Sequence, residues 1–366
     1  MTGTCIYTAK RIFTGQEWLD DHAVKTGEGR ILQLIPLREL GSAPVDHLGD
    51  FILAPAFIDI QIYGAGGKLF SVFPDTRALQ TLVEHNLEGG TSLCLPTMAT
   101  NEIAVFRSGI DAIRDFWHGD GKGIYGIHLE GPWINPLRKG AHLDKFIHRP
   151  TLQEVKELLE YGKDVIKMIT LAPEQCRDEV INYILEKGIK IAAGHSHAVY
   201  SEAIHGFDLG IKLVTHLFNA MSPLHHRDPG LAGAAMDDER VMASIIPDGI
   251  HVDFAALRIA KKAMGERLFV ITDAVTETSR GAYPHKYAGD KYEADGILSG
   301  SALTMSQALL NLVQKAGIEL GEALRMCSLY PARAVGIDNY RGRIKEGYAG
   351  EMVLLNNSGE FIKLIN

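Results

Sequence analysis

The amino-acid sequence predicts an α/β protein built on a (β/α)8 TIM-like barrel, on the basis of three observations. From about residue 52 to 335, short apolar runs alternate with segments whose apolar residues recur every three or four positions. Eight of these runs are strand-like, and a closed barrel of this type has eight parallel strands. Short strand-and-turn patterns precede and follow this region, which favours a small β-sandwich domain formed by the N- and C-terminal segments.

The two terminal segments have the same texture. The runs TCIYTAKRIF and GRILQLIPL lie near the start of the chain, and GRIKEGYAGEMVLLNN and EFIKLIN lie at its end. Neither end could bury much apolar surface alone. We therefore expect residues 1–51 and 338–366 to pair into one β-domain, with residues 52–337 inserted between them as the barrel.

The strand candidates of the middle region are bounded by turn residues, and amphipathic segments such as TLQEVKELLEYG and DEVINYILEKG lie between several of them. This alternation is typical of parallel strands buried on both faces. An open, doubly wound sheet would also alternate in this way, but no glycine-rich phosphate fingerprint opens the first unit. The barrel is therefore favoured. The candidates are FILAPAFIDIQIYG, GTSLCLPTMAT, GIYGIHLEGPW, DVIKMITLAPE, IKIAAGHSHA, IKLVTHLFNA, VMASIIPDGIHV and RLFVITDAV.

Composition limits the classes of partner. The formal net charge of −8 argues against nucleic acid or an anionic membrane surface as the main partner, although a local pocket can still bind a small anion. The four cysteines are far apart and form no CxxC pair, which fits a reducing compartment. The sequence shows neither a signal-peptide pattern nor an apolar run long enough to span a bilayer. We expect a cytoplasmic protein.

A polar residue follows each apolar run in nearly the same place. Because the carboxyl ends of the strands of a parallel barrel meet at one rim, these side chains should converge where barrel enzymes build their active sites. A single buried histidine is often structural, but several polar residues reaching one rim independently are harder to explain in that way. The strand-end residues are Gln61, Thr97, Glu130, Thr170, His195, His216, Asp248 and Asp273.

Glu130, His195 and His216 form the best set of metal ligands among them. Imidazole nitrogens and a carboxylate suit zinc or another divalent first-row ion, and three protein ligands leave a position for water. The spacing matches no local motif, so the prediction depends on the strand-end placement. His197 is a weaker candidate, since it would lie on the loop beyond the rim.

Two further features suggest chemistry at this rim. Asp273, in FVITDAV, could act as a general base for water beside the metal, or it could simply cap a nearby helix. Arg227, in HHRDPG, could bind a phosphate with its guanidinium fork, or it could be a solvated surface charge. The backbone N–H groups of Asn219 and Ala220 could contact the same anion.

At these residues the chain resembles the N-acetylglucosamine-6-phosphate deacetylases, a family of metal-dependent amidohydrolases. The resemblance covers nearly the whole chain, and HLEGPW, THLFNAM and ITDA with their neighbours are its most specific parts. The motifs that carry it, in order, are PAFIDIQIYG, HLEGPW, KGAH, AGHSHA, THLFNAM, HRDPG, PDGIH, ITDA, SGSALTM, YPARAVGI and GRIKEGYAGEMVLL.

The resemblance implies an activity and a role for each matching residue. The reaction would remove the acetyl group of N-acetyl-D-glucosamine 6-phosphate, giving D-glucosamine 6-phosphate and acetate, in a homodimeric enzyme. Glu130, His195 and His216 would hold the catalytic metal. Asp273 would be the general base and later the acid, and His142 would help to polarise the acetamide carbonyl. The implied substrate-binding residues are Ala141, Asn219, Ala220, Arg227 (directed at the 6-phosphate), His251, Leu303, Thr304 and Met305.

One departure concerns the number of metals. Many amidohydrolases carry His-x-His after the first strand, whereas this chain has Gln61 and Tyr63. An amide and a neutral phenol are poor ligands for a first-row ion. We therefore predict one divalent ion for each subunit, most simply zinc, with iron or another divalent ion as the alternative.

Two other functions compete with this prediction. One is another hydrolase of the same superfamily, such as a cyclic amidase or a deacetylase of the galactosamine epimer. The other is a barrel without catalytic activity that binds a sugar phosphate as a regulator. A complete set of three ligands and an acid, Asp273, argues against the regulator, which would have no chemical need for all four.

Overall fold

The computed structural model describes residues 3–42, 44–294 and 296–365, and it divides into two compact units. The first unit contains Met1–Ile58, Asn86–Ser92 and Met305–Asn366, and the second contains Asp59–His85 and Leu93–Thr304. The domain boundaries predicted from the sequence lie where its pattern changes. They differ from the bounds of these units and stay a prediction.

The described residues form β-strands in both units. In chain order, the strands are β1 (Cys5–Thr8), β2 (Arg11–Phe13), β3 (Trp18–Leu19), β4 (His22–Gly27), β5 (Arg30–Pro36), β6 (Asp46–His47), β7 (Ile52–Pro55), β8 (Phe57–Ile62), β9 (Gly64–Ala65), β10 (Lys68–Leu69), β11 (Thr91–Ala99), β12 (Ile127–Glu130), β13 (Ile166–Leu171), β14 (Lys190–Ala193), β15 (Leu213–Val214), β16 (Met242–Ile245), β17 (Leu268–Val270), β18 (Lys286–Tyr287), β19 (Lys291–Ala294), β20 (Ile297–Ser301), β21 (Met352–Leu355) and β22 (Phe361–Ile365).

Helices follow most of the longer strands of the middle region. The two amphipathic segments singled out in the sequence form α3 and α4, as predicted. The α-helices are α1 (Thr76–Glu88), α2 (Ile103–His118), α3 (Leu152–Gly162), α4 (Asp178–Glu186), α5 (Tyr200–Leu209), α6 (Gly230–Asp237), α7 (Phe254–Met264), α8 (Met305–Leu310), α9 (Leu320–Cys327) and α10 (Leu329–Val335). None of these helices is long and apolar enough to cross a membrane.

Eight strands form the barrel, and each predicted run contributes one of them. Their order is β8-β11-β12-β13-β14-β15-β16-β17, and an isolated parallel bridge between Ile62 and Ala274 joins the two ends of this sheet. Every residue of β8 and of β12 is buried, as expected for parallel strands covered on both faces. The predicted (β/α)8 barrel is confirmed.

The first predicted run, residues 51–64, forms two strands and not one. Its first half is β7, which pairs with the C-terminal strand β21, and only its second half, β8, enters the barrel. Pro55 ends β7, and because proline has no N–H to donate, it is suited to a point where one ladder stops.

The N- and C-terminal segments share a β-sandwich, as the sequence predicted. One sheet has the order β22-β21-β7-β2-β3 and the other β5-β4-β1-β6. Leu53 of β7 lies opposite Leu354 of β21 and beside Ile12 of β2, so the beginning and the end of the chain pair directly. The apolar core of the sandwich consists of Tyr7, Ile12, Val24, Ile31, Leu48, Leu53, Ile344, Met352, Leu354 and Ile365.

A buried carboxylate links the first barrel strand to the end of the last one. Asp59, on β8, accepts hydrogen bonds at Oδ1 from the N–H of Gln61 (3.2 Å) and of Thr272 (3.3 Å). Its Oδ2 accepts a short hydrogen bond from the Thr272 hydroxyl. Burial raises the pKa of Asp59 to about 7 against these hydrogen bonds. The neighbouring N–H of Asp273 donates to the carbonyl of Gln61 at 3.0 Å, so this link also places two strand-end residues side by side.

Candidate active site

The residues predicted to bind the metal lie together at the rim of the barrel. Glu130 is the last residue of β12, and His195 and His216 each lie two residues beyond the end of β14 and β15. Asp273 lies three residues beyond β17. The structure therefore brings all four into one buried cluster, with each side chain less than a tenth exposed.

Three of these four residues have a backbone conformation that side chains rarely adopt. The φ angles of His195, His216 and Asp273 are 47°, 33° and 53°. Such left-handed residues cost energy unless the surrounding structure holds them, and they concentrate at functional sites. The sharp turn at each strand end directs these side chains across the rim toward one another.

The ligand atoms of Glu130, His195 and His216 lie at the mutual distances expected around one ion. Oε1 of Glu130 is 3.3 Å from Nε2 of His195 and 3.2 Å from Nε2 of His216, and the two nitrogens are 3.1 Å apart. Zinc bonds of about 2.0–2.1 Å in tetrahedral geometry separate neighbouring ligand atoms by about 3.3–3.4 Å. The three residues therefore fit one ion.

The other nitrogen of each histidine fixes the tautomer that a metal requires. Nδ1 of His195 lies 3.0 Å from the carbonyl oxygen of Arg138, and Nδ1 of His216 lies 3.1 Å from that of Asn219. A carbonyl oxygen only accepts, so each Nδ1 carries the proton and each Nε2 of a neutral ring presents a lone pair to the cluster. Burial lowers the pKa of His195, which favours the neutral ring.

Glu130 is ionised in this arrangement. Burial alone would raise the pKa of its carboxyl. The interactions of this carboxylate with the imidazoles of His195, His142 and His216 outweigh burial, so the pKa lies well below its ordinary value. The cluster thus offers one anionic oxygen and two imidazole nitrogens, a donor set typical of zinc and related divalent ions.

Gln61 lies between the two carboxylates of the site. Its amide nitrogen is 2.9 Å from Oε1 of Glu130 and 2.7 Å from Oδ1 of Asp273, and its amide oxygen accepts from the hydroxyl of Thr215 at 2.5 Å. The two N–H bonds of the amide therefore bridge two carboxylates. A hydrogen-bond donor therefore lies between these two carboxylates, and a single metal for each subunit stays a prediction.

Asp273 has the environment of a base. Burial raises the pKa of its carboxyl, the interaction with His216 opposes that effect, and the charge of Glu130 adds to it. Raising the pKa of a carboxylate toward the working pH makes it a better proton acceptor.

His142 lies beside the cluster. Its Nε2 is 3.0 Å from Oε2 of Glu130, and its Nδ1 is 2.7 Å from the hydroxyl oxygen of Thr100. The side chain is 6% exposed and its ring lies 4.4 Å from that of His195, centroid to centroid. It is therefore an ordered hydrogen-bonding group between Glu130 and the cavity.

A cavity of about 210 Å³ opens over this cluster. Its lining includes the predicted metal ligands, Asp273 and His142. It also includes four of the predicted substrate contacts: Ala141, Asn219, Ala220 and His251. His251 is held by Asp248, whose carboxylate lies 2.5 Å from Nδ1 of the histidine.

Other predicted residues lie elsewhere. Arg227 is exposed and does not line the cavity, and neither do Leu303, Thr304 and Met305. His197 is exposed and accepts a hydrogen bond from Arg138, outside the metal cluster. The strand-end residues Thr97 and Thr170 are fully buried and contact the ring of His128 in the barrel interior.

One wall of the cavity was not predicted from the sequence. Between β17 and α8 the chain forms a small antiparallel sheet of β18, β19 and β20, and residues of this region line the cavity. Nothing in the barrel pattern marks this segment, since it lies outside the alternation of strands and helices. The residues concerned are Val275, Tyr283, His285, Leu298, Ser299 and Gly300.

Comparisons with known proteins agree with this geometry. The amidohydrolase family matches residues 52–365. The N-acetylglucosamine-6-phosphate deacetylase of Haemophilus influenzae is 33% identical over 369 residues, covering 96% of this chain and 95% of the relative. The N-acetylgalactosamine-6-phosphate deacetylase of Escherichia coli O157:H7 is 30% identical over 366 residues, covering 97% and 96%.

A solved structure shows the same architecture. The crystal structure of the N-acetylglucosamine-6-phosphate deacetylase of Pasteurella multocida superposes with a TM-score of 0.93 at 30% identity, covering 99% of this chain and 98% of that one. The two proteins thus have the same fold and similar sequences over nearly the full length of both chains. The chain therefore belongs to the amidohydrolase family, in its N-acetylglucosamine-6-phosphate deacetylase branch.

Proposed function

We propose that this protein hydrolyses the acetamide of N-acetyl-D-glucosamine 6-phosphate, giving D-glucosamine 6-phosphate and acetate. The observation that carries the proposal is the metal-ligand cluster of Glu130, His195 and His216, with Asp273 in the same cavity. Relatives bearing the name of this enzyme support the choice of substrate.

Glu130, His195 and His216 would hold one divalent ion, which we propose to be zinc because two imidazoles and one carboxylate suit that ion. When bound, such an ion polarises a carbonyl and lowers the pKa of water enough for a proton to be lost near neutral pH.

Asp273 moves the proton of the reaction. Its carboxylate accepts a proton from the attacking water, the oxygen of that water bonds to the acetyl carbon, and the same proton passes to the sugar nitrogen as the C–N bond breaks. Acetate and the free amine are the products. The raised pKa of Asp273 serves both halves of the cycle, since the group must first accept and then release the proton.

His142 and the cavity lining position the substrate. The imidazole of His142 would donate a hydrogen bond to the acetamide carbonyl oxygen, on which negative charge develops during attack. Ala141, Asn219, Ala220 and His251 line the cavity around it.

We further propose that Arg227 binds the 6-phosphate through its guanidinium group. Arg227 is exposed, and Leu303, Thr304 and Met305 are further proposed contacts of the substrate. A homodimer and a cytoplasmic location belong to the same proposal. No disulfide joins any two of the described cysteines, in keeping with a reducing compartment.

Acetate release tests the proposal directly. The protein is stripped of metal, given about one equivalent of zinc, and assayed with N-acetylglucosamine 6-phosphate and with N-acetylglucosamine. We expect metal-dependent release that strongly prefers the phosphorylated sugar, and Arg227→Ala should remove most of that preference. If a folded protein releases acetate from neither sugar with zinc, iron or manganese, the proposed substrate is wrong.

A second candidate substrate is the galactosamine epimer, which the relative from Escherichia coli O157:H7 favours. Its 30% identity is close to the 33% of the relative from Haemophilus influenzae, so identity alone does not separate the two sugars. The ratio of kcat/KM for the two N-acetylamino sugar 6-phosphates decides between them.

A further inference from the structure

Tyr63 lies on the rim of the barrel at the place where many amidohydrolases have a metal-binding histidine, yet its side chain makes a different contact. The residue follows β8, and its backbone is fixed on both sides: its N–H donates to the carbonyl of Ala274 at 2.9 Å, and its carbonyl accepts from Phe70 at 2.8 Å. The side chain is buried and lines the cavity. Because the backbone of Tyr63 is fixed, its side chain can hold a neighbouring side chain in one position.

The hydroxyl of Tyr63 donates a short hydrogen bond to Oε2 of Glu130. The same hydroxyl oxygen lies 3.0 Å from the amide nitrogen of Gln61. The hydroxyl of Tyr63 therefore donates to a carboxylate, and such hydrogen bonds are among the stronger ones in proteins.

The two oxygens of Glu130 consequently have separate partners. Oε2 is held by Tyr63 and by Nε2 of His142. Oε1 faces Nε2 of His195 and Nε2 of His216, and it also accepts from the amide of Gln61. A carboxylate can rotate about its bond to the chain. Two contacts on Oε2 oppose that rotation and keep Oε1 directed at the histidines.

We propose that Tyr63 is a positioning residue for the metal ligand Glu130: its hydroxyl holds Oε2 so that Oε1 alone is presented to the ion beside His195 and His216. This inference rests on the proposed metal site, but not on the identity of the substrate. Partners of this kind, which orient a ligand without touching the metal, typically contribute about 10- to 100-fold to metal affinity.

The ring of Tyr63 is anchored separately from its hydroxyl. It packs with Leu69, Val275 and Tyr283 in an apolar cluster beside the cavity. Tyr63→Phe should therefore keep the packing and remove only the contacts of the hydroxyl, with Glu130 and with the amide of Gln61. Tyr283→Phe is a matched control, because Tyr283 belongs to the same cluster but donates to the backbone carbonyl of Thr100 and touches no ligand atom.

The test is zinc affinity, measured on metal-free protein by competition with a chromophoric chelator. We expect Tyr63→Phe to raise the dissociation constant for zinc by about 10- to 100-fold and Tyr283→Phe to leave it within about threefold of the unmodified protein. Tyr63→Met, which fills the space without a donor, should show the same loss and keeps the test available if the Phe variant does not fold.

A dissociation constant for Tyr63→Phe within threefold of that of the unmodified protein would overturn the proposal, and so would an equal loss in Tyr283→Phe. The measurement needs no substrate, so an error in the proposed substrate leaves its outcome unchanged. If the unmodified protein binds no zinc, iron or manganese, the metal site and the role of Tyr63 both fall.

Discussion

Asp273 shows how much a single residue can be specified by its surroundings. Its N–H donates a hydrogen bond to the carbonyl of Gln61, and its carboxylate accepts a hydrogen bond from the side-chain amide of Gln61. Its backbone has a positive φ of 53°. These constraints leave the carboxylate buried beside the metal ligands with a raised pKa. A base that is already in place loses little entropy when the substrate arrives.

Asp273→Asn should abolish most of the turnover, because an amide of the same size cannot accept the proton from water. We expect kcat to fall by about 100- to 10,000-fold with zinc-loaded protein. Zinc content, measured by elemental analysis, should stay at the level of the unmodified protein. Turnover close to that of the unmodified protein would show that another group is the base.

The sequence predicted the residues of the metal cluster but not the geometry that brings them together. Glu130, His195 and His216 could be identified because each follows an apolar run. The positive φ angles of the two histidines have no sequence signal, since neither position is a glycine or an asparagine. The contact of Tyr63 with Glu130 is equally invisible, because it depends on how two separate strand ends meet.

At the scale of elements, the carboxyl group of Asp59 links β8 to the end of β17. Its pKa lies in a pH range that unfolding experiments can cover. Its pKa is about 7 in the folded protein, against an ordinary value of 3.8. The folded state therefore binds this proton more tightly than the unfolded state does. The stability associated with it is fully present below pH 3.8 and is lost as the pH rises through about 7.

Asp59→Asn removes this titration, so the comparison of the two proteins isolates it. Between pH 5 and 7 the free energy of unfolding of the unmodified protein should fall relative to that of Asp59→Asn, by at most about 1.4 kcal/mol for each pH unit, and the difference should level off above about pH 7. Thermal or urea unfolding of both proteins, each saturated with zinc, measures it. A difference that is constant across this range would mean that Asp59 is already ionised at pH 5.

Strands were easier to predict than the connections between them. Each of the eight barrel strands falls inside a predicted run, because a parallel strand buried on both faces is apolar throughout. The apolar run at 51–64 predicts one strand, but Pro55 near its middle marks the division between β7 and β8. The sheet of β18 to β20 escaped prediction, since its residues follow neither the strand pattern of the barrel nor a helical period.

At the scale of the whole molecule, metal binding should contribute to stability as well as to catalysis. An ion that binds only the folded chain stabilises it by about 2.7 kcal/mol when its concentration is 100 times the dissociation constant. We therefore expect chelation to lower the midpoint of thermal unfolding and one equivalent of zinc to restore it. Differential scanning calorimetry measures both changes.

The matched control for this prediction is a variant that carries both His195→Ala and His216→Ala. Its unfolding midpoint should not respond to zinc, because two of the three ligands are gone. An equal response of the variant and the unmodified protein would place the stabilising ion at another site.

The pairing of the chain's two ends into one sandwich was predictable because both ends have the same strand-and-turn texture and neither has enough apolar residues for a core of its own. The register was not predictable. That Leu53 lies opposite Leu354 depends on which of several short strands becomes the neighbour of β7, and the sequence contains many equivalent choices.

The pair formed by Gln61 and Tyr63 has a consequence for how this site can change by mutation. In the genetic code, histidine codons differ by a single nucleotide from codons for glutamine and also from codons for tyrosine. Two point mutations, Gln61→His and Tyr63→His, would therefore create the His-x-His pattern without a change in the backbone of the strand. The proposed single-metal site therefore lies two base changes away from the His-x-His sequence, whereas the barrel itself is encoded by hundreds of bases.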